Sequence, residues 1–150
     1  MKHFKLLLLT CIFAGQNFCN SQTSEMEKQT PGYEKIIRDY FGGWVKKDWN
    51  QVAAQLAEGF TFTSPAPDDH ISIEKFKAKC WIQAEHIQRV DFVKIIGNGN
   101  EAFAIMHVIT TDNRTIRNIE YFNFSNGKIK SIEVFFGGTG QGFPTNETHN

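Results

Sequence analysis

The chain has 150 residues, of which 41% are hydrophobic and 13% aromatic, so it can form one domain with a substantial core. Its 16 basic and 16 acidic residues balance to a formal net charge of zero. This balance excludes the basic surface that is typical of nucleic-acid-binding proteins, and we expect no nucleic-acid partner.

The N-terminus has the pattern of a secretory signal peptide. Two lysines precede an apolar run over residues 6–15, which is too short to span a bilayer but has the length of a signal-peptide core. We expect cleavage after Ser21, which would remove residues 1–21 and leave an exported protein, periplasmic or secreted, without membrane attachment. A buried strand or helix is the alternative. A lipid anchor at Cys11 fits less well, because it would divide the apolar run.

Two helices are predicted next. Residues 22–32 are polar and end in Pro-Gly, so we expect a flexible lead-in to a domain over residues 33–137. Apolar side chains recur at helical spacing over residues 33–45, which predicts the first helix. Asp48 is a suitable N-cap for a second helix, which we expect to end at Gly59.

A short strand, a third helix and a series of longer strands follow. Residues 60–64 predict the short strand, and Ser72 is a candidate N-cap for a helix that extends to residue 87. Alternating patterns then predict four strands, at residues 90–96, 102–111, 115–124 and 128–136. Helices followed by an antiparallel meander are typical of the α+β class. The polar, glycine-rich residues 138–150 predict a disordered tail.

The pairing of these strands places Glu120 in apolar surroundings. If residues 112–113 form a two-residue turn, His107 lies opposite Asn118 and beside Glu120 on one largely apolar face. A three-residue loop in the next hairpin keeps Glu120 on that face, opposite Ile132, whereas a two-residue turn would place it opposite another glutamate. We therefore predict that Glu120 points inward, with His107 nearby.

Two stretches and the order of the elements resemble a known family. The stretches are DWNQVAAQLAEGFTFTSP and IEYFNFSNGKIKSIEVFF. Over residues 33–137 the chain resembles the SnoaL-like branch of the nuclear transport factor 2-like (NTF2-like) superfamily. The resemblance implies three N-terminal helices packed in the concave face of a strongly bent antiparallel sheet, a cone-shaped α+β barrel with an internal pocket.

The same resemblance suggests roles for three residues. In ketosteroid isomerase, which has this fold, a tyrosine and a protonated aspartic acid donate hydrogen bonds to an oxyanion while a second aspartate moves the proton. The resemblance places Tyr40 at the position of the tyrosine and Glu120 at that of the protonated acid. Ser64 replaces the proton-carrying aspartate, and a serine is no base without a partner.

The candidates for acid/base chemistry are therefore Glu120, His107 and Tyr40. An apolar site raises the pKa of a carboxyl group, so Glu120 could stay protonated and donate a hydrogen bond or act as a general acid. His107 would act as a base or keep Glu120 ionised, and Tyr40 would polarise a substrate oxygen. The structural alternative for Glu120 is an ion pair with His107 or Arg117, and for His107 and Tyr40 it is core packing.

A second group of residues is expected to contact the substrate. Asn118 would orient a ligand carbonyl, and Asp68 and Asp69 would lie at the pocket mouth, where a solvated turn is the alternative. Their spacing matches no metal-binding motif, so we expect neither a metal nor a cofactor. The other candidates for the pocket lining are Ser64, Trp44, Phe62, Trp81, Phe103, Phe122 and Phe136.

Three classes of function remain open. The first is an exported, cofactor-independent enzyme that uses acid/base catalysis on a small, largely apolar substrate, as an isomerase, cyclase, dehydratase or epoxide hydrolase. The second is a non-catalytic binder of a small hydrophobic molecule. The third is an interaction module that uses the sheet face. The resemblance also implies a homodimer through that face.

Overall fold

The computed structural model describes residues 32–65 and 68–137. The predicted signal peptide, nearly all of the lead-in and the tail over residues 138–150 lie outside the described residues. None of the helices within these two ranges is long and apolar enough to cross a membrane.

Within the described residues, the predicted α+β class is confirmed. The helices are α1 (Gly32–Lys46), α2 (Trp49–Ala53), α3 (Ile73–Cys80) and a 3₁₀ helix (Trp81–His86) that continues α3. The strands are β1 (Leu56–Thr63), β2 (Ile71–Ser72), β3 (Ile87–Asn98), β4 (Glu101–Thr110), β5 (Thr115–Ser125) and β6 (Lys128–Gly137). The second helix is shorter than predicted, because β1 already begins at Leu56, and β2 was not predicted.

The six strands form one curved, unclosed sheet in the order β2-β1-β6-β5-β4-β3. Strands β3 to β6 form the predicted antiparallel meander, but β1 runs parallel to its neighbour β6. Register shifts interrupt the β1–β6, β3–β4 and β5–β6 pairs. Such bulges increase the local bend and twist of a sheet. We call the face that carries Ala104, Glu120 and Phe122 the inner face, and the opposite one the outer face.

The β4–β5 hairpin differs from the prediction by one residue. Its loop has three residues and ends at Asn113, which adopts the left-handed conformation (φ 63°), so Ala104 lies opposite Glu120. A one-residue shift in register moves every side chain of a strand to the other face. His107 therefore lies opposite Arg117 on the outer face, and the prediction that it lies beside Glu120 is wrong.

The β5–β6 hairpin also uses a turn other than the predicted one. Asn126 and Gly127 form a two-residue turn in which both have positive φ (50° and 71°), a geometry that suits tight hairpins. A bulge near this turn shifts the pairing, so Glu120 lies opposite Val134 rather than Ile132. The predicted inward orientation of Glu120 is confirmed, because the residue is only 7% exposed.

Aromatic side chains join α1 to the inner face. Tyr40 makes edge-on ring contacts with Phe122 of β5 and with Trp44 of its own helix. Helix α2 packs against α1 at Gly43, where a Cβ atom would lie 2.6 Å from Cγ2 of Val52. The absence of a side chain at Gly43 thus allows the two helices to pack closely, and α1 is held over the sheet as one wall of a cavity.

Candidate functional site

A cavity of about 430 Å³ lies between α1, α3 with its 3₁₀ extension, and the inner face of the sheet. Much of its lining is apolar and comes from Phe41, Phe62, Phe76, Val108, Ile116 and Val134. Polar residues complete the lining, and three of them, Gln83, His86 and Arg114, are exposed. The mouth of the cavity therefore lies between the 3₁₀ helix and the β4–β5 loop.

Glu120 is the buried carboxyl group of this cavity. Strand alternation places it on the inner face together with Asn118, whose Nδ2 donates a hydrogen bond of 2.9 Å to Oε1 of Glu120. Burial raises the pKa of Glu120 to about 8, although the hydrogen bond from Asn118 acts in the opposite direction. Glu120 is therefore mostly protonated at neutral pH.

Tyr40 lines the same cavity from α1. Burial raises the pKa of Tyr40 well above its usual value, and the negative charge of an ionised Glu120 raises it further. The indole N–H of Trp44 acts in the opposite direction and lowers the pKa of Tyr40. This effect is the smaller one, because Nε1 of Trp44 makes no hydrogen bond to the phenol. Tyr40 consequently remains a neutral phenol that can donate a hydrogen bond.

Three buried polar atoms of the cavity lining have no hydrogen-bond partner within the described residues. They are Nε1 of Trp44, Oδ1 of Asn118 and Oε2 of Glu120. Buried polar atoms without a partner are rare in folded proteins, and each costs about 1–3 kcal/mol. Because all three residues line one cavity, its wall carries hydrogen-bonding capacity that no described residue uses.

The structure brings together seven of the residues that the sequence suggested for the site. Glu120, Tyr40, Asn118, Ser64, Asp68, Trp44 and Phe62 all line the cavity. They come from α1, the end of β1, the loop that follows it and β5, so the assembly depends on the tertiary fold.

Two predicted site residues lie on the outer face instead. Because the β4–β5 register is shifted by one residue, Phe103 and His107 point away from the cavity. Phe103 is 46% exposed and packs against the ring of Tyr121, at 4.7 Å between centroids. Neither residue can contact a ligand held beside Glu120.

Three further candidates lie near the cavity but outside its lining. Phe122 is fully buried in the core against Tyr40. Trp81 packs against the lining residue Trp44, at 5.0 Å between ring centroids, but does not line the cavity itself. Asp69 is exposed and pairs with His70. The side chain of the remaining candidate, Phe136, lies outside what the structure describes.

No cluster of His, Cys, Asp and Glu side chains suited to a metal ion occurs in residues 32–65 and 68–137. Asp68 forms an ion pair with Lys79, and its side chain is only 12% exposed. The aspartates of this loop therefore have partners of their own.

Sequence reasoning missed several residues of the lining. Phe41 lies on the apolar stripe of α1, and Val108 and Val134 would have followed from the correct register. His86 and Arg114 carried no signal in the sequence, because a 3₁₀ turn and a hairpin loop bring them to the mouth. Cys80 also lines the cavity, and burial raises the pKa of its thiol to about 11.

Comparison with known proteins identifies the family. The family model described as the SnoaL-like domain matches residues 37–132, well over half of the chain. No curated protein matches.

Solved structures share the fold at low sequence identity. An NTF2-like protein of unknown function from Cytophaga hutchinsonii is 19% identical, with a TM-score of 0.55 over 74% of this chain and 94% of that one. A candidate ketosteroid isomerase from Kribbella flavida is 16% identical, with a TM-score of 0.59 over 77% and 85% of the two chains. A candidate hydroxylase from Streptomyces galilaeus is 9% identical, with a TM-score of 0.58 over 69% and 73%. At these identities the similarity shows the fold alone. The family match, which covers residues 37–132, means that the chain belongs to the SnoaL-like family.

Proposed function

We propose that the protein binds a small, largely apolar molecule that carries an oxygen-containing group. The observation that supports this most concerns Trp44, Asn118 and Glu120, which all line one largely apolar cavity. Each has a buried polar atom without a hydrogen-bond partner among the described residues. The cavity volume of about 430 Å³ lies in the range of small-molecule sites. An apolar wall with a few convergent polar groups is the usual design of such sites.

Binding of a neutral apolar dye, N-phenyl-1-naphthylamine, tests this proposal, because its fluorescence rises in apolar surroundings. Ile116→Trp would fill the cavity from β5, whereas Ile119→Trp places the same side chain on the outer face of the same strand. We expect the first variant to lose most dye binding and the second to keep it. Equal binding by both variants would place the dye elsewhere and contradict the proposal.

A second candidate is catalysis by Glu120 in the same cavity. A carboxyl group with a pKa of about 8 can donate and accept a proton near neutral pH. Tyr40 would polarise the substrate oxygen in an isomerisation, cyclisation, dehydration or epoxide opening. We rank simple ligand binding above catalysis because the site lacks an evident second base. Ser64 is a weak base, and Asp68 forms an ion pair with Lys79. Turnover that is lost in Glu120→Gln while binding persists would support catalysis.

We also propose that the protein is exported through the signal peptide at residues 1–21. Expression of the full chain in a bacterial host, followed by fractionation and mass spectrometry, tests this proposal. We expect a mature chain that begins at Gln22 outside the cytoplasm. An uncleaved chain in the cytoplasm would contradict it.

A second copy of the chain is the proposed partner of the outer face. Phe103, Ile119 and Phe135 are 46%, 38% and 48% exposed there, with Arg117 and Glu133 on the same face. An apolar patch with charges of both signs suits a two-fold interface, in which each patch meets its own equivalent.

Sedimentation analysis of two matched variants tests the dimer. Ile119→Glu would place a charge in the patch, whereas Ile82→Glu alters an exposed isoleucine of the 3₁₀ helix. We expect a monomer from the first variant and a dimer from the second. A monomeric parent protein would overturn this proposal.

A further inference from the structure

We propose that the cavity recognises a neutral hydroxyl group, so that its ligands are alcohols or phenols rather than hydrocarbons, ethers or carboxylates. This inference rests on the proposed ligand-binding function. It follows from the hydrogen-bonding capacity that the described part of the chain leaves unused at Trp44, Asn118 and Glu120.

The unused atoms of these residues are two donors and one acceptor. The indole N–H of Trp44 can only donate. The amide of Asn118 uses Nδ2 to donate to Oε1 of Glu120, which leaves Oδ1 as an acceptor. Because Oε1 already accepts this bond, the proton of the neutral Glu120 carboxyl belongs on Oε2, which then donates. A ligand must therefore accept two hydrogen bonds and donate one.

The three residues are neighbours across the cavity. Asn118 and Glu120 are joined by their hydrogen bond on β5. Trp44 packs edge-on against Tyr40, with 6.2 Å between ring centroids, and Tyr40 lies near enough to Glu120 to sense its charge. All four line the same cavity, which is the space in which one ligand would meet them.

A hydroxyl group has this combination, since its oxygen accepts two hydrogen bonds and its hydrogen donates one. An ether or a ketone would leave Oδ1 of Asn118 unpaired, and a hydrocarbon would leave all three atoms unpaired. A carboxylate would carry its charge into an apolar space. The guanidinium of Arg114 would not neutralise it there, because Arg114 is exposed at the mouth and paired with Asp112.

Four ligands with the same ring system test the inference: 2-naphthol, 2-methoxynaphthalene, naphthalene and 2-naphthoate. Their affinities for the full chain are measured by isothermal titration calorimetry at pH 6.5, where Glu120 is protonated. We expect 2-naphthol to bind about tenfold more tightly than the ether, since one buried polar group left unpaired has an effect of that order. Naphthalene, which leaves all three atoms unpaired, should bind more weakly than the ether. The naphthoate should bind most weakly.

Two tryptophan variants test the donor. Trp44→Phe keeps an aromatic ring but removes the N–H. We expect the preference for 2-naphthol over naphthalene to fall several-fold, because naphthalene has no oxygen that could accept this bond. Trp81→Phe, at a ring that contacts Trp44 from outside the lining, should leave the preference unchanged. An unchanged preference in Trp44→Phe would overturn the role of Trp44.

The ligand series with the parent protein decides the matter even if Trp44→Phe does not fold. Equal affinity for naphthol and ether would overturn hydroxyl recognition but leave the apolar binding site intact. Failure of all four ligands and of the dye to bind would instead overturn the proposed function itself.

Discussion

The side chain of Asn118 donates a hydrogen bond to Oε1 of Glu120, two residues further along the same strand. Residues at this spacing share one face of a strand, so the pair is a direct result of strand alternation. The bond favours the ionised carboxylate, yet burial has the larger effect and raises the pKa of Glu120 to about 8. The cavity therefore contains a neutral acid at pH 7.

Stability should fall as pH rises because of Glu120. Its pKa is about 8 in the folded protein and about 4.5 in the unfolded chain, so between these values the folded state binds more protons. The free energy of unfolding should decrease across this window by on the order of 5 kcal/mol through this group alone. Urea denaturation at pH 5, 7 and 9 measures the decrease. Glu120→Gln should remove most of it, and identical pH profiles for the two proteins would contradict the raised pKa.

The contact between α1 and α2 should not tolerate a methyl group at Gly43. In Gly43→Ala the new Cβ would lie 2.6 Å from Cγ2 of Val52 and 2.9 Å from its backbone nitrogen. We expect a loss of about 1–3 kcal/mol in the free energy of unfolding.

Gly42→Ala is the matched control for this contact, because its Cβ would meet only the flexible end of Gln51. The higher helix propensity of alanine should make this variant neutral, or more stable by up to about 1 kcal/mol. Similar losses in both alanine variants, measured by thermal denaturation, would show that the close approach at Gly43 does not matter.

The N-cap of α2 should contribute measurably to stability. The side chain of Asp48 accepts hydrogen bonds from the backbone N–H groups of Asn50 and Gln51, so Asp48→Ala should cost about 1 kcal/mol. Ser72 precedes α3 but bonds to the side chain of Glu74 instead of a backbone N–H. We expect Ser72→Ala to cost clearly less in chemical denaturation, and the reverse order would contradict the capping geometry.

Loss of His107 should leave ligand binding unchanged. The residue lies on the outer face opposite Arg117, whereas Asn118 lines the cavity. Dye titrations should therefore give the parent affinity for His107→Ala and a reduced affinity for Asn118→Ala. Weaker binding by the histidine variant alone would support the register that the sequence suggested.

The orientation of β5 could be predicted from the sequence, but the register of its neighbours could not. Phe122 and Phe124 indicate which face of β5 is buried, and Glu120 shares that face by alternation. Turn lengths are less evident, because a left-handed Asn113 extends one loop to three residues, while a bulge beside the Asn-Gly turn shifts the other pairing. Local composition does not reveal either feature.

The same limit applies to the site. Tyr40 and Trp44 lie on a helical stripe that is visible in the sequence, and they reach the cavity as predicted. The residues at the mouth come from irregular segments, whose approach to the cavity depends on how α3 and the β4–β5 loop pack. For His107 the prediction failed because an alternating pattern in β4 fits either register.

The parallel pairing of β1 with β6 has a consequence for how the chain folds. Thr61 pairs with Ser131 and Phe62 with Ile132, so strands from the two ends of the domain lie side by side. Contacts between residues so distant in sequence require closure of a long loop and slow folding. During synthesis, α1 and β1 emerge long before the strand that holds β1 in the sheet. The first strand can therefore take its place beside β6 only after the last strand of the domain has been synthesised.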